Sequence, residues 1–112
     1  MNFEFLPSSY FEKEAKRMAK HYPSFAKDLK KFADELQINP WQGIDLGNNI
    51  RKLRMTISSK GKGKAGGARV ITMNVIVDEE NMKIYLLLLY DKQQADNYNE
   101  KALETAIKEF RK

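Results

Sequence analysis

Residues 50–77 read IRKLRMTISSKGKGKAGGARVITMNVIV. In the first eight, Leu53, Met55 and Ile57 point one way and Lys52, Arg54 and Thr56 the other. That period of two is the mark of a strand with one buried face and, here, one cationic face. Arg69 to Val77 is rich in β-branched residues, which suit a second strand. Between them glycines alternate with Lys60, Lys62 and Lys64, and a Gly66-Gly67 pair leads into Arg69. The stretch predicts a β-hairpin with a cationic loop. From Leu46 to Val77 there is no acidic residue, and seven of the chain's 20 lysines and arginines lie there. The remaining 13 face 15 acidic residues, so the net charge of +5 is concentrated in this segment. A local cationic patch on a near-neutral body is what a polyanion-binding surface looks like.

Downstream, Asp78 to Asn81 forms a turn, and Lys83 to Tyr90 (KIYLLLLY) reads as a third strand. Its unbroken apolar run predicts a central strand covered on both faces. Asp91 to Asn97 is a polar connection, and Glu100 to Arg111 reads as a helix with Leu103, Ile107 and Phe110 on one side. Upstream, Trp41 to Asn49 is turn-rich. Asn2 to Leu6 reads as a short strand closed by Pro7. Ser9 and Glu12 have the spacing of a capping box opening a helix, whose apolar stripe is Phe11, Ala15, Met18, Ala19 and Tyr22. Pro23 separates it from a second helix with Phe25, Leu29, Phe32 and Leu36, which Asn39-Pro40 stops. The order is strand, helical hairpin, three-stranded antiparallel meander, helix. It predicts one α+β domain over residues 1–112, with the helices on one face of the sheet.

The totals narrow the chemistry. There is no cysteine, which removes disulfides and thiolate sites and fits a reducing compartment. The N-terminus lacks a signal-peptide pattern, and the longest apolar run falls far short of the ~20 residues that span a bilayer. The expectation is a soluble cytoplasmic protein without membrane contact. His21 is the only histidine, so a multi-histidine metal site is excluded; it reads as structural or solvated. Trp41 reads as a packing residue, and Asp34-Glu35 and Asp78-Glu79-Glu80 as surface charges.

The candidate site residues are cations. Lys60, Lys62 and Lys64 on a flexible backbone, with Lys52 beside them, are suited to successive phosphates. Arg54 and Arg69, borne on strands, are suited to a bidentate grip on one phosphate. The loop is not a Walker motif, because Gly66-Gly67-Ala68 feeds a strand rather than a helix. A solvated hairpin tip is the bland alternative. Lys92, just past the third strand, and Tyr98, before the last helix, reach the same rim if the strands are neighbours. A lysine among cations has its charged form disfavoured and suits proton transfer.

These residues resemble a known family. IRKLRMTISSKGKGKAGGARVI with the later LLLLYDK is similar to the RelE/ParE superfamily of type II toxin-antitoxin toxins, in its RelE/HigB-like branch. The resemblance extends over the helical hairpin and so over nearly the whole chain. It implies a RelE-like α+β toxin that cuts messenger RNA on the ribosome, without a metal or other cofactor, by activating a 2′-hydroxyl against the adjacent phosphate. It implies a cognate antitoxin, through which the complex binds operator DNA. On this resemblance Lys52 and Arg54 match the basic pair before the loop, and Arg69 the arginine opening the next strand. Lys92 matches the basic residue after the last strand, and Tyr98 the tyrosine near the C-terminal helix. Arg54, Arg69, Lys92 and Tyr98 are thus the catalytic candidates, and Lys52, Lys60, Lys62 and Lys64 the RNA-binding ones. The loop is longer than in the simplest members, and the groove histidine of HigB-like relatives has no counterpart. Two other readings remain: a ParE-like toxin that poisons a DNA topoisomerase, and a non-catalytic homologue that only binds its antitoxin.

Overall fold

The computed structural model describes residues 1–111. The elements run β1 (Asn2–Pro7), α1 (Ser9–His21), α2 (Phe25–Ile38), β2 (Ile44–Gly47), β3 (Ile50–Met55), β4 (Ala68–Ile76), β5 (Asn81–Asp91) and α3 (Glu100–Glu109). One five-stranded sheet has the order β1-β5-β4-β3-β2. β2 to β5 form an antiparallel meander, and β1 adds to it parallel to β5. The α+β class agrees with the sequence reading, and so does the order of elements apart from one added strand, β2. Among the described residues no helix is long and apolar enough to cross a membrane.

The turn-rich stretch contains an edge strand, β2, that the sequence reading missed. Asn48 and Asn49 both have positive φ, 53° and 63°, and close the β2–β3 hairpin as a two-residue turn. Asparagine tolerates that region better than most residues, so this pair was a hairpin signal. β3 stops at Met55 rather than Ile57, because the backbone N–H of Ser58 turns to donate to Asp28 and a short 3-10 turn, Ser58–Lys60, begins.

The helices do not share one face. Phe11 and Met18 of α1 and Phe25, Phe32 and Leu36 of α2 pack on Leu53, Met55, Val70 and Leu89. Ile71, Leu87 and Leu88 point the other way and meet Leu103, Ala106 and Ile107 of α3. The apolar run of β5 explains this: with both sides greasy, each needs a cover. β5 also carries one extra residue, Leu87, between the Ile71–Leu88 and Thr72–Leu86 pairs.

The cap of α1 is Ser8, not Ser9. The buried Ser8 hydroxyl accepts the Phe11 N–H at 3.0 Å and donates to the Leu87 carbonyl at 2.7 Å. One side chain therefore closes a helix end and satisfies the bulge. Ser9 instead donates its backbone N–H to the Glu109 carboxylate at the far end of α3. Ser8→Ala is expected to cost about 1–2 kcal/mol, since it removes a cap and leaves a buried carbonyl unmatched. Thermal unfolding would measure it; an unchanged midpoint would refute the assignment.

Candidate functional site

A groove of about 550 Å³ opens beside α3, where β2, β3, β4, the glycine-lysine loop and the connection after β5 meet. Five cations line it: Lys52, Arg54, Lys64, Arg69 and Lys92. Register explains the convergence. Arg54 lies directly opposite Arg69 across β3 and β4, and Lys52 is two residues along on the same face. Lys92 arrives from β5, whose last residue pairs with Ala68, and its backbone N–H donates to the Gly67 carbonyl at 3.1 Å. Gln42, Gly43 and Ile44 make the remaining wall. Gly43 is required there: at φ +91° a Cβ would stand 2.5 Å from the Lys52 carbonyl oxygen.

One carboxylate, Asp96, also lines the groove. It pairs with Lys92 at 3.5 Å while fully exposed, and Lys64 meets Glu35 at 4.0 Å, also at the surface. Exposed pairs of this kind are worth little and yield readily to a stronger anion. Arg54 is exposed, and no carboxylate pairs with it or with Arg69 among the described residues. Arg69 is 7% exposed and donates to the carbonyls of Lys64, Ala65 and Ala68 at 3.2, 3.1 and 3.3 Å. Burial first, and the Arg54 charge second, push its guanidinium below the ordinary arginine value. The group stays charged, because arginine does not deprotonate in proteins. Two like charges thus stand at opposed strand positions with no carboxylate pairing with either, an arrangement that favours an anion between them.

Tyr98 stands at the rim. Lys52 Nζ lies 5.9 Å from its ring centroid and donates to Asn97 Oδ1 at 3.3 Å. The ring packs against the α3-side core rather than lining the groove.

The other cations of the basic window go elsewhere. Lys60, expected to bind RNA, is a structural residue: its ammonium reaches Asp91 at 2.7 Å, with the two side chains 3% and 2% exposed. The Tyr22 hydroxyl donates to the other Asp91 oxygen, and Lys60 sits over the Tyr22 ring. A lysine at the loop's first turn points inward because Asp91 stands at the end of the neighbouring strand. Lys62 is exposed on the loop and does not line the groove. Arg51 is on the opposite face, donating to the Trp41 carbonyl and pairing with Asp45 at 3.3 Å. Trp41 packs against the α1–α2 core, as expected. His21 is exposed, edge-on to Tyr22, and does not line the groove.

The loop carrying Lys64 is thus clamped. Asp28 at the start of α2 accepts from the Ser58 N–H and hydroxyl and from the Ser24 hydroxyl. Burial raises the Asp28 carboxyl, but these hydrogen bonds outweigh it and hold the group below the usual carboxylate range. Lys60–Asp91 fixes the loop's first turn and the Arg69 contacts its exit. Gly67 has no room for a side chain, because a Cβ would stand 2.1 Å from the Met55 carbonyl oxygen. Among the described residues no group of three or more His, Asp or Glu side chains gathers to hold a metal ion. No protein-family model matches the chain.

Proposed function

We propose that this protein is a type II toxin of the RelE/HigB-like kind, a ribosome-dependent endonuclease that cuts messenger RNA and arrests translation in the cytoplasm. The observation that carries the reading is the convergence of Lys52, Arg54, Lys64, Arg69 and Lys92, against one exposed carboxylate, on a single groove. The charge of that groove and the clamped loop that lines it suit a single-stranded phosphate backbone. Arg54 and Arg69 hold the scissile phosphate and stabilise the charge that builds on it as the neighbouring 2′-hydroxyl attacks. Lys52 and Lys64 bind the flanking phosphates. Lys92, lining the groove, and Tyr98, at its rim, serve proton transfer to and from the sugar oxygens. The reading includes a cognate antitoxin that neutralises the toxin and carries the complex to operator DNA.

Mapping of message ends after brief induction tests this. New 5′ ends within translated codons are the expected result. Intact messages with damaged DNA would mean a topoisomerase poison, and growth without arrest a non-catalytic homologue. The isolated protein should also bind single-stranded RNA with a steep salt dependence, each neutralised phosphate adding about 0.7 to the slope of log K against log salt.

A further inference from the structure

Arg54, Arg69 and Tyr90 form one row across β3, β4 and β5, each directly opposite the next. Side chains opposed in this way stand on one face with Cβ atoms about 4.5–5.5 Å apart. Arg69 occupies the middle of the row. Tyr90 is 8% exposed, and its buried hydroxyl has no hydrogen-bond partner among the described residues. A hydroxyl buried without a partner weakens the fold, and phenylalanine would fill the same space without that cost. Burial raises the phenol above its ordinary value, with the Arg69 charge lowering it and Tyr98 raising it. It is therefore a neutral donor at physiological pH, within electrostatic reach of Arg69 in the groove and of Tyr98 at its rim.

The contacts of Arg69 are replaceable. Its three acceptors are neutral carbonyls at 3.1–3.3 Å. A phosphate oxygen makes shorter and stronger bonds to a guanidinium than these. Tyr90 does not itself line the groove, so its hydroxyl would meet an anion there only as the Arg69 guanidinium moves toward the groove and opens the row behind it.

We infer that Tyr90 is the third ligand of the bound phosphate: its hydroxyl donates to an oxygen of the anion that Arg54 and Arg69 grip. The inference rests on the groove being a seat for an RNA backbone, and it assigns a role to a residue that the sequence reading left in the core.

Tyr90→Phe in the full chain tests it, with three measurements: thermal unfolding, affinity for a 2′-O-methyl RNA oligonucleotide, and the salt dependence of that affinity. The expected result is an unfolding midpoint equal to wild type or higher, an affinity about tenfold weaker, and an unchanged salt slope, because no charge is lost. Arg54→Ala serves as the contrast, since it should lower the slope by about 0.7. Wild-type affinity in Tyr90→Phe would overturn the inference and leave the groove reading standing. A fall in midpoint would also overturn it, by making the hydroxyl a structural group. Wild-type protein without salt-dependent affinity would overturn the groove reading itself, and this inference with it.

Discussion

Arg54→Ala and Arg69→Ala are each expected to lower message cleavage in a translating extract about 10²–10³-fold, the usual effect of removing a donor aimed at transition-state charge. The two should differ in stability. Arg54 is exposed and has no hydrogen-bond or ion-pair partner among the described residues, so its loss should move the unfolding free energy by no more than about 0.5 kcal/mol. Arg69 ties three backbone carbonyls at the loop's exit, so its loss should loosen the loop as well. Arg69→Lys separates the effects. It keeps the charge but cannot make the planar two-pronged grip, and should still lose most of the activity. Cleavage at wild-type levels in Arg54→Ala would remove the groove from the mechanism, because no structural role competes for that residue.

The largest loss of stability is expected from Lys60→Ala. The substitution leaves Asp91 as a buried carboxylate without its cation, and breaking a buried pair in this way costs about 3–5 kcal/mol. For a domain of this size that is a fall in midpoint on the order of 10 °C or more. The pH dependence gives an independent check. Burial raises the Asp91 carboxyl, but hydrogen bonds from Lys60, Tyr22 and the Gln93 N–H outweigh it and hold the group below its ordinary value. A pKa depressed in the folded state adds stability above the unfolded value of about 4, and that stability is lost as pH falls through the folded value. Wild type should therefore weaken steeply below about pH 4, and Lys60→Ala less steeply. At the other end, the hydrogen bond to Asp91 pushes the Tyr22 phenol up to about 12. A raised phenol contributes stability below its unfolded value of about 10, which is lost as pH climbs through the folded one. Denaturant midpoints across pH would show both limbs. Lys60→Ala unfolding like wild type would mean the pair is not what anchors the loop.

The residues that were legible are those whose position depends on period alone. Lys52, Arg54 and Arg69 could be placed on one strand face because strand geometry alternates, and antiparallel pairing then forced them together. The apolar run Leu86 to Leu89 announced a strand covered twice, yet α3 was assigned to the same face as α1 and α2. Its stripe of Leu103, Ile107 and Phe110 shows that it needs a partner, not which side of the sheet supplies it. Lys60 shows the limit most clearly. In the sequence it is one of three equivalent lysines, and only the three-dimensional end of β5 makes it a buried ion. Tyr90 was hidden for the same reason: inside KIYLLLLY it reads as one more core residue, and its row mates are 21 and 36 positions away. The β2 strand could have been read, since Asn48-Asn49 is a hairpin turn in its own right.

Among the described residues the first strand pairs only with the last: Asn2 aligns with Asn81 and Pro7 with Leu86. During synthesis β1 leaves the ribosome without the surface it belongs to. At about 5–20 residues per second it waits roughly 4–16 s for its mate to be made. Closure of the sheet is therefore a late event in the life of the nascent chain, and until then the edge of β5 that β1 covers, once it emerges, is open to other strands.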